Sequence, residues 1–173
     1  MADPPAYLTL RRNRDQVGRR EVPIRRSLVG LMCLFLLAGL FNVFGQRPDS
    51  VQAAAAAAAL KLYAPSHVRS GLYYEARFTI DARQDLKNAM LVLNPGWIEG
   101  TTINTIEPSP VGEASRDGKL VFTLGHIRAG TTYLFFMQLQ VNPTNVGRRS
   151  QDVALYDGGT LLTTIDRTVT VFP

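Results

Sequence analysis

The 173-residue chain contains very little cysteine, tryptophan and histidine, with one Cys, one Trp and two His. A single cysteine, Cys33, excludes an intrachain disulfide and any metal site built from several cysteines. Folding must therefore depend on a hydrophobic core. The 114 residues after position 59 suffice for one, because a domain of about 100 residues needs no covalent cross-link.

Net positive charge is small outside the N-terminus, although the whole chain has a net charge of +5 and a pI near 9.7. Residues 1–26 hold seven Arg against three acidic residues, a net of +4. The other 147 residues hold twelve basic and eleven acidic residues, a net of +1. Nucleic-acid-binding domains concentrate basic charge on the folded domain itself, so we predict no nucleic-acid partner.

Motifs of catalysis are absent from the sequence. It has no Gly-x-Ser-x-Gly elbow, no Gly-rich phosphate loop and no His-Glu-x-x-His pair. His67 and His126 lie 59 residues apart and next to turns, so surface positions are expected for both unless the fold brings them together. We predict that the protein is not an enzyme and has no cofactor or metal.

One long run without charge stands out, residues 27–45. As a helix it is about 28 Å long, close to the roughly 30 Å hydrocarbon core of a bilayer. Basic residues crowd its N-terminal side, among them Arg19, Arg20, Arg25 and Arg26, whereas Arg47 is the one basic residue close to the other end. The positive-inside rule then predicts a single-pass protein of the plasma or inner membrane with a cytoplasmic N-terminus and an extracytoplasmic C-terminal domain.

A cleavable signal peptide is the alternative interpretation of this run. The apolar stretch is longer than the usual 7 to 15 residues, and charged residues separate it from the Ala-rich segment. The preceding tail, residues 1–26, has too few apolar residues for a core and is predicted to be disordered. Its arginines are expected to be attracted to anionic lipid headgroups, by about 1 kcal/mol each near the surface.

Residues 46–59 are Ala-rich and are predicted to be a spacer, whereas residues 60–173 show the alternation of β-strands. Even positions from Leu72 to Ile80 and odd positions from Tyr133 to Val141 are predominantly apolar, the period of a half-buried strand. Weaker strand patterns lie at 60–64, 88–94, 101–107, 119–125 and 151–157, and a final alternating segment follows at 161–171. Seven or eight short strands without an amphipathic helix predict a mainly β fold, an antiparallel β-sandwich.

Two stretches also carry a family resemblance, VRSGLYYEARFTIDARQDLKNAMLVLNPGW and GKLVFTLGHIRAGTTYLFFMQLQV. Gly precedes a Tyr-bearing strand, Pro-Gly follows the next strand, and Leu-Gly-x-Ile-x-Ala-Gly introduces the longest one. Over about residues 60–173 the chain resembles the immunoglobulin-like repeats of bacterial cell-surface proteins, which implies an immunoglobulin-like sandwich. Asp81 stands where such repeats usually carry Asn, and a single copy is present. No Asn follows Asn145, so the Lys–Asn isopeptide cross-link of some such domains cannot reach the final strand.

Outward-facing apolar residues suggest a binding surface. If Phe135 points inward, Leu134 and Phe136 point outward, and the neighbouring Tyr-bearing strand adds Tyr73. These three residues are predicted to form an exposed apolar patch that binds a partner, unless Arg and Lys side chains or the C-terminal segment cover them.

Two functions remain open at the level of sequence. The first is a non-enzymatic membrane accessory subunit, whose extracytoplasmic domain binds and stabilises or positions another envelope protein, such as a multi-pass membrane protein complex. The alternative is a surface-exposed or secreted adhesin-like domain for polysaccharide or another cell surface. Carbohydrate-binding faces usually expose several aromatic residues, and Trp97 is the only Trp in the sequence.

Overall fold

The computed structural model describes residues 21–43, 45–47 and 49–173. It contains two compact units that divide between residues 43 and 44. The described part of the first unit is one helix with the turn that follows it, and the described part of the second is built from strands.

Helix α1 is Glu21–Leu40, about 30 Å long. It is long and apolar enough to cross a membrane, and the same properties fit an N-terminal signal sequence. The predicted limits of 27–45 are shifted, because Arg25 and Arg26 extend the helix instead of belonging to a disordered tail. The remaining part of the predicted tail, with Arg19 and Arg20, lies outside the described residues.

The helix ends earlier than predicted because Asn42 adopts a left-handed backbone conformation, with φ of 53°. The Asn42 N–H donates to the Gly39 carbonyl (3.0 Å), and the Val43 N–H donates to the Ala38 carbonyl (3.0 Å). This pair of hydrogen bonds is the Schellman arrangement, which satisfies the last carbonyls of a helix.

Thirteen strands follow within the described residues. They are β1 Ser50–Ala54, β2 Ala58–Tyr63, β3 His67–Arg69, β4 Tyr73–Ala82, β5 Leu86–Leu93, β6 Thr101–Glu107, β7 Gly112–Arg116, β8 Lys119–Ile127, β9 Thr132–Val141, β10 Gly147–Ser150, β11 Val153–Asp157, β12 Thr160–Ile165 and β13 Thr168–Phe172. A short 3-10 turn, Pro95–Trp97, follows β5.

The strands form three sheets. The first sheet has the order β1-β2-β4-β9-β6, the second sheet β12-β11-β5-β8-β7, and the third sheet β10-β13-β3. Every pairing is antiparallel except β13 with β3, which is parallel. The prediction of a mainly antiparallel β fold preceded by one apolar helix is confirmed at this level.

The first and second sheets share one hydrophobic core. The even positions of β4 and alternate positions of β9 point into it, as the sequence predicted. Phe122 of β8 and Phe135 of β9 lie 5.2 Å apart between ring centroids, so the rings join the two sheets. Trp97 is fully buried and packs on Phe78 at 5.5 Å.

The prediction that residues 46–59 form a spacer is wrong, because this segment contains strand β1 and the beginning of β2. All five residues of β1 pair with β2, from Ser50 opposite Tyr63 to Ala54 opposite Ala59. The inward side chains Val51 and Ala53 pack against the core. Alanine has a low intrinsic preference for strands. A run of alanines can still form a strand when a neighbouring strand pairs with its backbone.

Further strands were not predicted, and the final alternating segment divides into β12 and β13. The strands without a prediction besides β1 are β3, β7 and β10, each of three to five residues. A tight turn explains why β7 forms, because it brings this strand alongside β8. Asp117 and Gly118 both have positive φ, 52° and 74°, which matches the type I′ turn that closes a two-residue hairpin.

Candidate functional site

The three residues predicted to form an apolar patch lie on the outer face of the first sheet but are not contiguous. Strands β4 and β9 are neighbours, as predicted, with Tyr73 opposite Gln140 and Arg77 opposite Phe136. At about 3.3 Å per residue, Tyr73 is therefore some 13 Å from Phe136 along the sheet and about 20 Å from Leu134. Tyr73 and Leu134 are 54% and 44% exposed, whereas Phe136 is half-buried.

Arg77 accounts for the partial burial of Phe136. Its guanidinium lies 5.1 Å from the centroid of the Phe136 ring and 5.7 Å from that of Tyr63, between two outward-facing aromatics. Glu75 holds it in place, accepting from Nη2 at 3.0 Å and from Nε at 3.2 Å. The interpretation that a basic side chain covers the predicted patch therefore applies at Phe136.

A cleft of about 370 Å³ opens beside this stack on the outer face of the first sheet. We call it the polar cleft, because hydrophilic side chains from three adjacent strands line it. In the strand register Glu75 lies opposite Gln138, and Gln138 lies opposite Thr105. Tyr73 lies beyond one side of this row, and Phe136 with Glu107 beyond the other.

The outer face of the second sheet carries a surface that the sequence interpretation missed. Two adjoining depressions of about 460 and 610 Å³ share Val92, Lys119 and Tyr156. We call them together the aliphatic groove. Its floor consists of side chains from three neighbouring strands, all half-buried: Met90, Val92, Val121, Ala154 and Tyr156.

A signal for this groove exists in the sequence of β5. Residues 89–93 read Ala-Met-Leu-Val-Leu, an apolar run without alternation. Ala89, Leu91 and Leu93 are buried, while Met90 and Val92 point to the outer face. Strands that are apolar on both sides are typical of sheets covered on both faces. The run therefore indicates that the outer face of β5 is apolar, unlike the polar outer face of a strand exposed to solvent.

A buried polar cluster lies between the β2–β3 and β12–β13 connections. Arg167 is 9% exposed, donates to the carbonyls of Pro65 (2.7 Å) and Ala64 (3.5 Å), and lies 5.8 Å from the Trp97 ring centroid. Burial lowers the pKa of Arg167, while the nearby Tyr74 and Asp49 act in the opposite direction. These contacts tie separate connections together, so we assign the cluster a structural role.

Tyr74 belongs to the same cluster. The Gln151 amide donates to its hydroxyl at 3.0 Å, within the protein interior. Burial raises the pKa of Tyr74 to about 12, and the Gln151 hydrogen bond and the Arg167 charge oppose this rise. The phenol therefore stays neutral well into the alkaline range.

The two histidines do not share a site. His67 lies on β3 of the third sheet, where its Nδ1 is 3.1 Å from Ser66 Oγ and its ring stacks on Phe172. His126 lies on β8 of the second sheet, 3.9 Å from an Asp85 carboxylate oxygen. In the described part of the chain, no three His, Cys, Asp or Glu side chains are grouped to hold a metal ion.

Comparisons with known proteins assign no family. No family model matches the chain, and no curated protein matches it in sequence. Among solved structures, it is similar to the chitin-binding domain of a chitinase from Pyrococcus furiosus, at 15% identity and a TM-score of 0.40, covering 67% of this chain and all of that one. AvmM, which catalyses macrocyclization in alchivemycin A biosynthesis, shares 6% identity at a TM-score of 0.43, with 75% and 90% covered.

A third similar structure is the GH20 exo-β-N-acetylglucosaminidase of Vibrio harveyi. It shares 13% identity at a TM-score of 0.32, and the likeness covers 73% of this chain and 18% of that one. Such identities and TM-scores give no ground for transferring an activity or a ligand.

Proposed function

We propose that the chain is a non-enzymatic, single-pass membrane accessory subunit whose β domain binds another envelope protein and stabilises or positions it. The partner in this proposal is a multi-pass membrane protein complex. The observation that supports it best is the aliphatic groove on the second sheet. Apolar surface on rigid strands is the usual basis of a protein docking site.

The chemistry of the groove favours a polypeptide over a sugar. Its floor is aliphatic apart from the Tyr156 ring. At about 4.8 Å between strands, the distance from β12 to β7 is roughly 19 Å, the length of about six extended residues. An apolar segment of a partner fits these properties.

Charge at the rim of the groove is mixed. Arg116 and Lys119 lie on the β7–β8 side, and Asp152 and Asp166 lie on the β11–β12 side. Opposite charges offset each other, in keeping with the small net charge of +1 after residue 26. Recognition would then depend on shape and apolar contact more than on long-range attraction.

Placement of a lysine on the groove floor tests this proposal. In the full-length chain, Val92→Lys and Val121→Lys are expected to lower capture of the partner at least about tenfold, because a desolvated charge in an apolar contact is costly. Gln52→Lys, on the first sheet, is the matched control and should leave capture unchanged. Crosslinking from a photoreactive residue at position 90, followed by mass spectrometry, identifies the partner.

The same experiment compares the groove with the patch predicted from sequence. Leu134→Ser and Phe136→Ser should leave capture unchanged if the groove is the docking surface. If they abolish capture and the groove variants do not, the partner binds the first sheet. If the crosslinked material contains no envelope protein, the accessory-subunit proposal fails.

The finer fold and membrane assignments are also proposals. The order β2-β4-β9-β6 opposite β12-β11-β5 matches the A-B-E-D and G-F-C strands of an immunoglobulin-like sandwich. Helix α1 would be the membrane span, with Arg25 and Arg26, together with Arg19 and Arg20, on the cytoplasmic side near anionic lipid headgroups. An experimental structure with assigned strand pairing tests the first of these assignments.

A second candidate function is an adhesin-like domain that binds polysaccharide. The observation that favours it is that three partly exposed aromatic rings, Tyr63, Tyr73 and Phe136, share the outer face of the first sheet. The buried Trp97 has no part in such a surface. Co-sedimentation of the full-length chain with insoluble cell-wall polysaccharide tests it, and Tyr73→Ser should reduce the bound fraction while Tyr156→Ser, on the second sheet, should not.

A further inference from the structure

We infer that the polar cleft binds an uncharged glycan chain that crosses strands β4, β9 and β6. This inference rests on the second candidate function and names its ligand class and its site. The row of polar side chains, the exposed Tyr73 ring beside it and the charge of the cleft support this ligand class.

The polar cleft offers hydrogen-bonding groups that the protein itself leaves free, although Glu75 is bonded to Arg77. Gln138, Thr105 and Glu107 are exposed and make no side-chain hydrogen bond or ion pair within the described part of the chain. An amide and a carboxylate present planar pairs of polar atoms, and the Thr hydroxyl both donates and accepts. Adjacent hydroxyl groups of a sugar ring match such pairs. Because the side chains stand on hydrogen-bonded strands, their spacing is set before the ligand arrives.

One exposed aromatic ring borders the row. Tyr73 lies two residues along β4 from Glu75 and is 54% exposed, whereas Arg77 covers the Phe136 ring on the other side of the row. The axial C–H groups of a pyranose ring pack on an aromatic face, while its hydroxyls point outward to polar groups. A volume of about 370 Å³, near the lower end of ligand pockets at about 300–1,000 Å³, suits one or two sugar rings.

The charge of the cleft selects against acidic glycans. Arg77 is paired with Glu75 at 3.0 Å, so this pair adds no net charge to the cleft. The Glu107 carboxylate faces the same cleft and repels carboxylates or sulfates. The ligand class that remains is a chain of uncharged sugars.

Binding to two panels of hexasaccharides tests the inference. The full-length chain is placed in lipid nanodiscs, because glycoside detergents would compete for the cleft. The uncharged panel is cellohexaose, laminarihexaose, maltohexaose and N-acetylchitohexaose, and the acidic panel is hyaluronan and oligogalacturonate hexasaccharides. We expect an uncharged probe to bind and Gln138→Ala to lower its affinity about tenfold. Gln52→Ala, on strand β1, should leave the affinity unchanged.

The Glu107→Gln variant is expected to gain affinity for acidic probes. A misfolded protein would lose binding, so a gain cannot result from loss of folding. The substitution keeps the hydrogen-bonding shape and removes the charge, so binding of the uncharged probe should stay within about twofold while acidic probes gain affinity. Preference of the unaltered chain for acidic probes would overturn the ligand class but leave the polysaccharide function standing. An uncharged probe that binds equally to the Gln138→Ala and Gln52→Ala variants would overturn the site alone.

Two further outcomes are decisive. If neither a hexasaccharide nor insoluble cell-wall polysaccharide binds, both the inference and the second candidate function fail. If Gln138→Ala removes capture of a membrane protein and no glycan binds, the cleft is part of a protein interface, and the inference is wrong.

Discussion

At the scale of single residues, Gly96 shows how closely parts of the chain approach each other. A Cβ atom at this position would lie 1.8 Å from the Ser150 carbonyl oxygen, a main-chain atom that cannot turn away. We expect Gly96→Ala to lower the free energy of unfolding by about 3 kcal/mol, since the main chain must move to admit the methyl group. Urea denaturation of the full-length chain measures it.

Gly159→Ala is the matched control. No atom lies within 4 Å of the added methyl group, and the residue does not have a left-handed φ. Its free energy of unfolding should stay within about 0.5 kcal/mol of the unaltered chain. Equal effects of the two substitutions would contradict the close approach of the Pro95–Trp97 turn to Ser150.

Tyr74 gives the fold a dependence on alkaline pH. Burial raises the pKa of Tyr74 from 10.0 to about 12 in the folded chain. Below pH 10 the phenol is protonated in both states, and between pH 10 and 12 the unfolded chain loses the proton while the folded chain retains it. Unfolding then releases a proton, so the free energy of unfolding should fall by about 3 kcal/mol across that interval.

The Tyr74→Phe variant isolates this contribution. Urea denaturation at pH 9 and at pH 11.5 should show a smaller loss of stability for the variant than for the unaltered chain. Tyr63→Phe, at a partly exposed ring, should retain the full loss. The interpretation is wrong if Tyr74→Phe and the unaltered chain lose the same stability.

At the scale of elements, strand β1 is a part of the folded domain that the sequence predicted to be a spacer. Ala53 points inward and packs against the core, whereas Gln52 is exposed. Ala53→Asp should lower the free energy of unfolding by about 2 kcal/mol because a carboxylate is placed against apolar side chains. Gln52→Asp should have little effect. A spacer would tolerate both, so equal stability of the two variants would show that β1 is not part of the fold in solution.

The element scale also shows where sequence patterns succeed. In β4 and β9 large apolar and polar residues alternate, and both were predicted as strands with the correct inward faces. In β1 the inward positions are Val51 and Ala53, and alanine carries little periodic signal. Strand β7 has no large apolar residue and is held mainly by its pairing with β8. Its existence depends on a neighbour and not on its own composition.

At the scale of the whole molecule, we expect the N-terminus to be cytoplasmic and the β domain to be extracytoplasmic. In a Cys33→Ser background, a Ser115→Cys variant should react with a membrane-impermeant maleimide added to intact spheroplasts, and an Ala6→Cys variant should not. Replacement of Arg19, Arg20, Arg25 and Arg26 by glutamate should lower the labelled fraction of the Ser115→Cys variant, because the charge bias that orients the span is reversed. Labelling of Ala6→Cys alone would mean the opposite orientation.

Intact mass spectrometry of the purified protein distinguishes the anchor from a signal peptide. A membrane anchor leaves the full mass of 19.1 kDa apart from N-terminal processing. A cleaved signal peptide would remove the apolar run, and the protein would be released without detergent. That outcome would exclude the membrane-subunit proposal and favour the secreted form of the adhesin-like alternative.

The sequence by itself determined the apolar helix, the mainly β class and the inward faces of β4 and β9. These features depend on periodic or continuous hydrophobicity within about twenty residues, so each is visible in the local pattern. It also located the excess positive charge before the apolar run, which is the basis for predicting no nucleic-acid partner in spite of the net charge of +5.

Only the tertiary structure decided which outward side chains meet. Arg77 covers Phe136 because β4 and β9, about sixty residues apart, pair in a register that places them opposite each other. The groove around Val92 likewise requires β5, β8 and β11 to be neighbours. Surfaces of this kind arise from long-range pairing, and a local pattern can show that a side chain points outward but not what lies beside it.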